Sequence, residues 1–134
     1  MYRHKYGTKG AQKMTYEKLK RYRGLRISID CCDSVIKEID ELADSLTDNV
    51  SIKKLQHMKA RQLNKRRESV YELAKLTEYI KSIEDEEIQN IYIAHFICGN
   101  NYSKIAQEMY LDRRTVARKI QKHLNDEQSA NSRK

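Results

Sequence analysis

The sequence predicts an all-α protein: an N-terminal helical hairpin, coiled-coil-like in pattern, followed by a C-terminal three-helix helix-turn-helix unit. Two observations carry that class. Proline is absent from the 134 residues, and of the four glycines only Gly99 lies beyond residue 24. A β protein needs turn residues about every 8–12 positions, and this chain does not have them. Apolar residues also recur at alternating steps of three and four, the spacing of one helix face.

Charge is arranged in blocks. Residues 1–26 carry nine Lys/Arg and one acid, residues 27–52 one Lys and seven acids, and residues 53–67 seven Lys/Arg and no acid. Residues 68–101 turn acidic again, and residues 102–134 hold eight Lys/Arg against four acids. Alternating blocks can pair with one another internally, so the net charge of +8 says less than where the basic blocks lie. Two of the three lie at the ends, where a DNA-contacting arm and a reading helix would sit.

Residues 1–13 have no apolar period and hold Gly7 and Gly10. They read as a flexible basic arm, which either touches phosphate or the minor groove or serves only as a solubilising tail. Residues 14–81 read as a helical region. It opens on a short helix from Thr15 to about Arg23, with Tyr16, Leu19 and Tyr22 at helical spacing. Ile29, Cys32, Ile36, Ile39, Ala43 and Leu46 then form a heptad seam, and Thr47-Asp48-Asn49 reads as a turn. Leu73, Leu76, Ile80 and Ile83 repeat the same alternation, with Val70 and Ala74 beside them. The two stretches suggest an antiparallel hairpin, with the basic segment 53–67 placed to lie against the acidic face of the first helix. A two-helix hairpin has little core of its own. Packing within the chain, or a homodimer through residues 27–81, would bury the remaining stripe.

The residues most informative about function are 82–124. Glu84 to Glu87 open a helix at the end where the dipole favours acids, and Ile88, Ile91, Tyr92, His95 and Phe96 form its buried face. Gly99 suits the left-handed residue that ends a helix. Asn101 is placed to cap a second helix, Tyr102 to about Met109, and Asp112 a third, Arg113 to Leu124. A helix-turn-helix crosses its two helices through a turn of three or four residues. The crossing calls for a small residue, an apolar turn residue and a β-branched residue, and Ala106, Leu111 and Val116 stand there at equal intervals. Ile105, Met109 and Ile120 complete the motif core. Tyr110 dissents, because it occupies a turn position that favours glycine for its positive φ.

With Val116, Ile120 and Leu124 turned inward, Arg113, Arg114, Ala117, Arg118 and Gln121 face outward from the third helix. Arginine can pair bidentately with guanine and glutamine with adenine, so these five are the candidate base-reading residues. Lys104, Lys119 and Lys122 are candidates for phosphate contact, which positions a protein without reading sequence. Residues 125–134 are polar and read as a frayed tail.

This stretch resembles region 4 of the sigma-70 class, and more closely the small regulators of Gram-positive phages and prophages known as the ArpU and RinA families. The resemblance rests on the acid-led helix with Ile-Tyr-Ile-Ala-His-Phe (residues 91–96), the Gly-Asn-Asn turn (99–101), Ser-Lys-Ile-Ala-Gln-Glu-Met (103–109) and Asp-Arg-Arg-Thr-Val-Ala-Arg-Lys-Ile (112–120). It covers about a third of the chain, and Tyr110 departs from it. The resemblance implies a transcriptional regulator, an activator by preference, that binds double-stranded DNA in the cytoplasm of a bacterial host cell. Two alternatives stay open: a phage small terminase subunit binding packaging DNA, and a helical adaptor binding RNA polymerase.

Other functions find no support in the sequence. No apolar run approaches the ~18 residues of a membrane span, and no signal-peptide core is present, so a soluble, intracellular protein without a membrane partner is expected. Cys31, Cys32 and Cys98 make no C-x-x-C pair, and the four histidines lack ligand spacing, so neither a metal nor a cofactor is expected. No nucleotide-binding, metalloprotease or hydrolase motif occurs, and an enzyme is not expected.

Overall fold

A computed structural model describes residues 13–132, with side chains as far as Glu127. Their regular structure is all helical: α1 (Tyr16–Lys20), α2 (Tyr22–Ala43), α3 (Asn49–Lys81), α4 (Glu86–Tyr92), α5 (Tyr102–Met109) and α6 (Arg113–Ser132). Helix α4 runs on into a π-helical turn, Ile93–Ile97. The basic arm expected over residues 1–13 lies, apart from Lys13, outside the described residues.

The chain divides into two compact units. One is Arg21–Ser82; the other joins α1 to the chain from Ile83 onward. This differs from the sequence reading, which grouped residues 14–81 together. The physical reason is that α1 bonds to the C-terminal helices: the Tyr16 hydroxyl lies 2.9 Å from His95 Nε2.

In the first unit α2 and α3 pair as a hairpin. Tyr22, Leu25, Ile29, Cys32 and Ile39 are buried on α2, and Leu73, Leu76 and Ile80 on α3. The α3 repeat continues backward, at the same steps of three and four, through Ser69, Arg66, Gln62, Lys59, Leu55 and Ile52. Each of these is at least half-buried. The basic segment 53–67 is thus the middle of one 33-residue helix, where the sequence reading set it between two stretches.

Lys59 Nζ reaches Asp40 at 2.8 Å and Arg66 Nε reaches Asp33 at 2.5 Å; Arg21 pairs with Glu72. The aliphatic stems of Lys59 and Arg66 cover the seam while their charged heads reach the acids of α2. Pairs this exposed add little to stability. Their effect is on register, since a slipped hairpin would strand the cations in its seam. At the turn the Asp48 carboxylate accepts from the Ser51 N–H at 2.9 Å and caps α3. That bond holds the carboxyl below its usual range.

In the second unit the Asp85 carboxylate caps α4 by accepting from the Ile88 N–H at 3.0 Å. Glu86 and Glu87 sit in the first turn, where their charge opposes the helix dipole favourably. Ile91, Tyr92, Phe96, Ile105, Ala106, Val116, Ile120 and Leu124 are all buried, and a side chain such as Ile or Val contributes about 1.5–3 kcal/mol when fully buried. Ile83, read from the sequence as the last seam residue of the hairpin, is buried as part of this unit.

Helix α6 continues to Ser132, past the Leu124 at which the sequence reading ended it and through most of the expected frayed tail. Lys122–Asp126 and His123–Glu127 are pairs four residues apart, each 3.9 Å, and such pairs support an exposed helix turn.

Candidate nucleic-acid interface

The site is built around one carbonyl. The Ala106 oxygen accepts from the Leu111 N–H at 2.8 Å and also from the Tyr110 N–H. This pair of bonds ends α5 and turns the chain into α6. It requires a left-handed residue, and Tyr110 takes that conformation at φ 58° and ψ 44°. Tyr110 is the one non-glycine residue with positive φ among the described residues. Its ring is 94% exposed, so nothing packed against the side chain compensates the backbone cost.

Of the two caps expected around this turn, the one at Asn101 is made by the side chain. The Asn101 side chain accepts from the Lys104 N–H at 2.8 Å. At Asp112 it is the backbone carbonyl that begins α6, accepting from Thr115 and Val116 at 3.0 and 3.2 Å. Further upstream, Gly99 adopts φ 79° and the Asn100 N–H reaches back to the Ala94 carbonyl at 2.9 Å. That bond spans one residue more than the usual helix-ending bond, because the π turn has widened the helix there.

The residues assigned to the motif core sort clearly. Ile105, Ala106, Val116 and Ile120 are buried, and Met109 and Leu111 are half-buried at the edge of the crossing. The Tyr92 hydroxyl lies 2.8 Å from His123 Nδ1 and 3.5 Å from the Ile120 carbonyl, which fastens α6 to α4.

On the opposite face of α6, Arg114, Arg118 and Gln121 are exposed and Ala117 is half-buried among them, whereas Arg113, also exposed at the first turn, precedes Val116 by three residues and so stands on the side of the buried stripe. Arg114, Arg118 and Gln121 are spaced by four and three, so they form one stripe along the helix. Lys104 and Lys122 are exposed, and Lys122 pairs with Asp126 at 3.9 Å. Lys119, the third residue read as a phosphate contact, is less open. Its ammonium pairs with Glu87 at 3.0 Å, and its side chain is 33% exposed, so it ties α6 to α4.

No family model matches the chain, nor does any curated protein or solved structure.

The geometry offers a basic helix face that, among the described residues, is left exposed. The guanidinium groups are planar donors suited to paired acceptors, and Gln121 adds a donor and an acceptor on one amide. The small Ala117 lets a flat surface approach the helix between the longer side chains. Among the described residues, no group of three His, Cys, Asp or Glu is arranged to hold a metal ion, and no helix is long and apolar enough to cross a membrane.

Sequence reasoning missed one cluster in this unit. His95, read as a core residue, bonds through Nε2 to Tyr16 and through Nδ1 to the Asn100 carbonyl at 2.9 Å. Its ring stacks on Tyr102, with centroids 4.5 Å apart. The Tyr102 hydroxyl donates to Tyr16 at 3.3 Å, and burial, with that bond second, pushes the Tyr102 phenol up. The available signal was the set of three rings, but Tyr16 lies 79 positions before His95, and no periodicity joins them.

Proposed function

We propose that the protein is a sequence-specific double-stranded DNA-binding protein, a transcriptional regulator of the ArpU/RinA phage type, acting by preference as an activator. One observation carries the reading. The face of α6 opposite the buried Val116 and Ile120 is a stripe of Arg114, Arg118 and Gln121 around Ala117, and it follows a tight turn from α5. In a helix-turn-helix that face enters the major groove, while the preceding helix crosses the backbone. Arg113, Arg114, Arg118 and Gln121 read bases through their polar groups, Ala117 offers apolar contact to a thymine methyl, and Lys104 and Lys122 hold phosphates. The resemblance of residues 83–124 to sigma-70 region 4 supports the same assignment.

Dimerisation falls to the hairpin. Leu63, Val70, Tyr71 and Ala74 border a groove of about 480 Å³ on α3, and Leu63, Val70 and Tyr71 are exposed. A second copy laid against that stripe would cover it.

Selection from a random duplex library at near-physiological salt tests the reading. Enrichment of one motif, in two half-sites about 10 base pairs apart, is the expected result for a dimer. No enrichment, with binding that disappears as salt rises, leaves only electrostatic attraction and directs attention to RNA polymerase as the partner of a helical adaptor. Rings in solution with DNA bound would instead favour a small terminase subunit.

A further inference from the structure

The hairpin carries apolar surface on both of its faces. On α3, Leu63, Val70 and Tyr71 are exposed and border the groove with Ala74. On α2, Ile27, Val35 and Leu42 are exposed, and so is Cys31 between them. One step along a helix turns the side chain by about 100°. Cys31, Val35 and Leu42 each precede a seam residue of α2, namely Cys32, Ile36 and Ala43, whereas Asp33 and Asp40 each follow one, Cys32 and Ile39. The two sets therefore flank the α2 seam on opposite sides. Asp33 accepts from Arg66, and Arg66 lines the α3 groove. The groove thus lies on the side of the α2 acids, and the α2 stripe on the other side of the hairpin.

The two surfaces also differ in charge. Arg66 and Arg67 wall the groove. Glu38 stands within the α2 stripe, four residues before Leu42, and Glu41 lies at its edge; both are exposed. We propose that the α3 groove takes the α2 stripe of a second copy, so that the chain associates head to tail. The proposal rests on the self-association assigned to the hairpin above and names the surface of the second copy that covers the groove. Apolar residues then meet apolar residues, with Glu38 and Glu41 of one copy against Arg66 and Arg67 of the next. Groove against groove would instead set the two arginine pairs facing each other, and like charges brought together oppose association. A contact between unlike faces needs no twofold axis. A two-copy assembly made this way keeps one stripe and one groove open at its ends, where further copies can add.

The test uses the full chain, two variants of it and sedimentation analysis. Val35→Gln with Leu42→Gln removes the stripe, and Val70→Glu with Tyr71→Glu removes the groove. All four side chains are exposed, and helical circular dichroism reports that each variant folds. Each variant alone is expected to sediment as a single copy, because one half of the contact is missing. Mixed in equal amounts, the two are expected to form two-copy particles and stop there. The groove variant brings an intact stripe to that particle, and the stripe variant an intact groove. A stripe variant that associates alone overturns the proposal and leaves a twofold contact through the groove. A groove variant that associates alone also overturns it, since the groove then takes no part. Two variants that remain single when mixed, under conditions where the unaltered chain associates, overturn it as well. An unaltered chain that stays single at every concentration removes the self-association itself, and leaves the DNA-binding reading to its own selection experiment.

Discussion

At position 110 a tyrosine holds a backbone conformation that costs a non-glycine residue about 1–2 kcal/mol, and its exposed ring recovers none of it. Glycine would remove that cost and give back part through the entropy of the unfolded chain. Tyr110→Gly is therefore expected to stabilise the protein by about 0.5–1 kcal/mol, read as a higher urea midpoint at unchanged slope. The sequence already marked this residue as the misfit of the motif; what it lacked was the outcome, because a turn fixed by Ala106, Leu111 and Val116 can force the conformation on its neighbour. On α6 the roles of single residues separate by experiment. Arg114→Ala and Arg118→Ala should each cost about 1–3 kcal/mol of discrimination between the preferred and other sequences. Lys122→Ala should weaken every sequence alike and reduce the salt slope by about one. Uniform losses in all three variants would defeat the base-reading roles.

Single helices were legible to the extent that their signals were local. The Asn101 cap was read from an amide ahead of an apolar period and is present as a 2.8 Å bond. Asn101→Ala is expected to destabilise the protein by about 1 kcal/mol in thermal or urea unfolding. The seam of α2 was equally plain, and on α3 Leu73, Leu76 and Ile80 were found. Leu76, 3% exposed, is expected to cost about 2–5 kcal/mol on truncation to Ala. What escaped was the middle of α3, where Lys59, Gln62, Arg66 and Ser69 hold seam positions without being apolar. The partners of Lys59, Arg66 and Ser69, which are Asp40, Asp33 and Ser28, are on another helix, so a periodicity count could not register them. The π turn at Ile93–Ile97 was hidden for a related reason: it alters the hydrogen-bond span without altering the residues that face inward. The length of α6 beyond Leu124 rests on polar pairs along its own surface, in a stretch whose composition suggested a tail.

At the scale of the molecule the division is between a hairpin and a helix-turn-helix unit. If the hairpin mediates self-association, Val70→Glu together with Tyr71→Glu should shift sedimentation from dimer to monomer while leaving the helical circular dichroism intact. Both side chains are about two-fifths exposed, so the single chain does not depend on burying them. The helix-turn-helix unit is discontinuous in sequence, since α1 belongs with the chain after Ile83 and the whole hairpin lies between. On the ribosome this sets an order. Helix α1 is made before the residues it packs against, and the hairpin, closed by neighbouring stretches of chain, can pair while His95 and Tyr102 are still to be translated. Synthesis proceeds at about 5–20 residues per second, so α1 waits several seconds with Tyr16 and Leu19 in water. The bonds from His95 and Tyr102 to Tyr16 then retrieve a helix synthesised well before them.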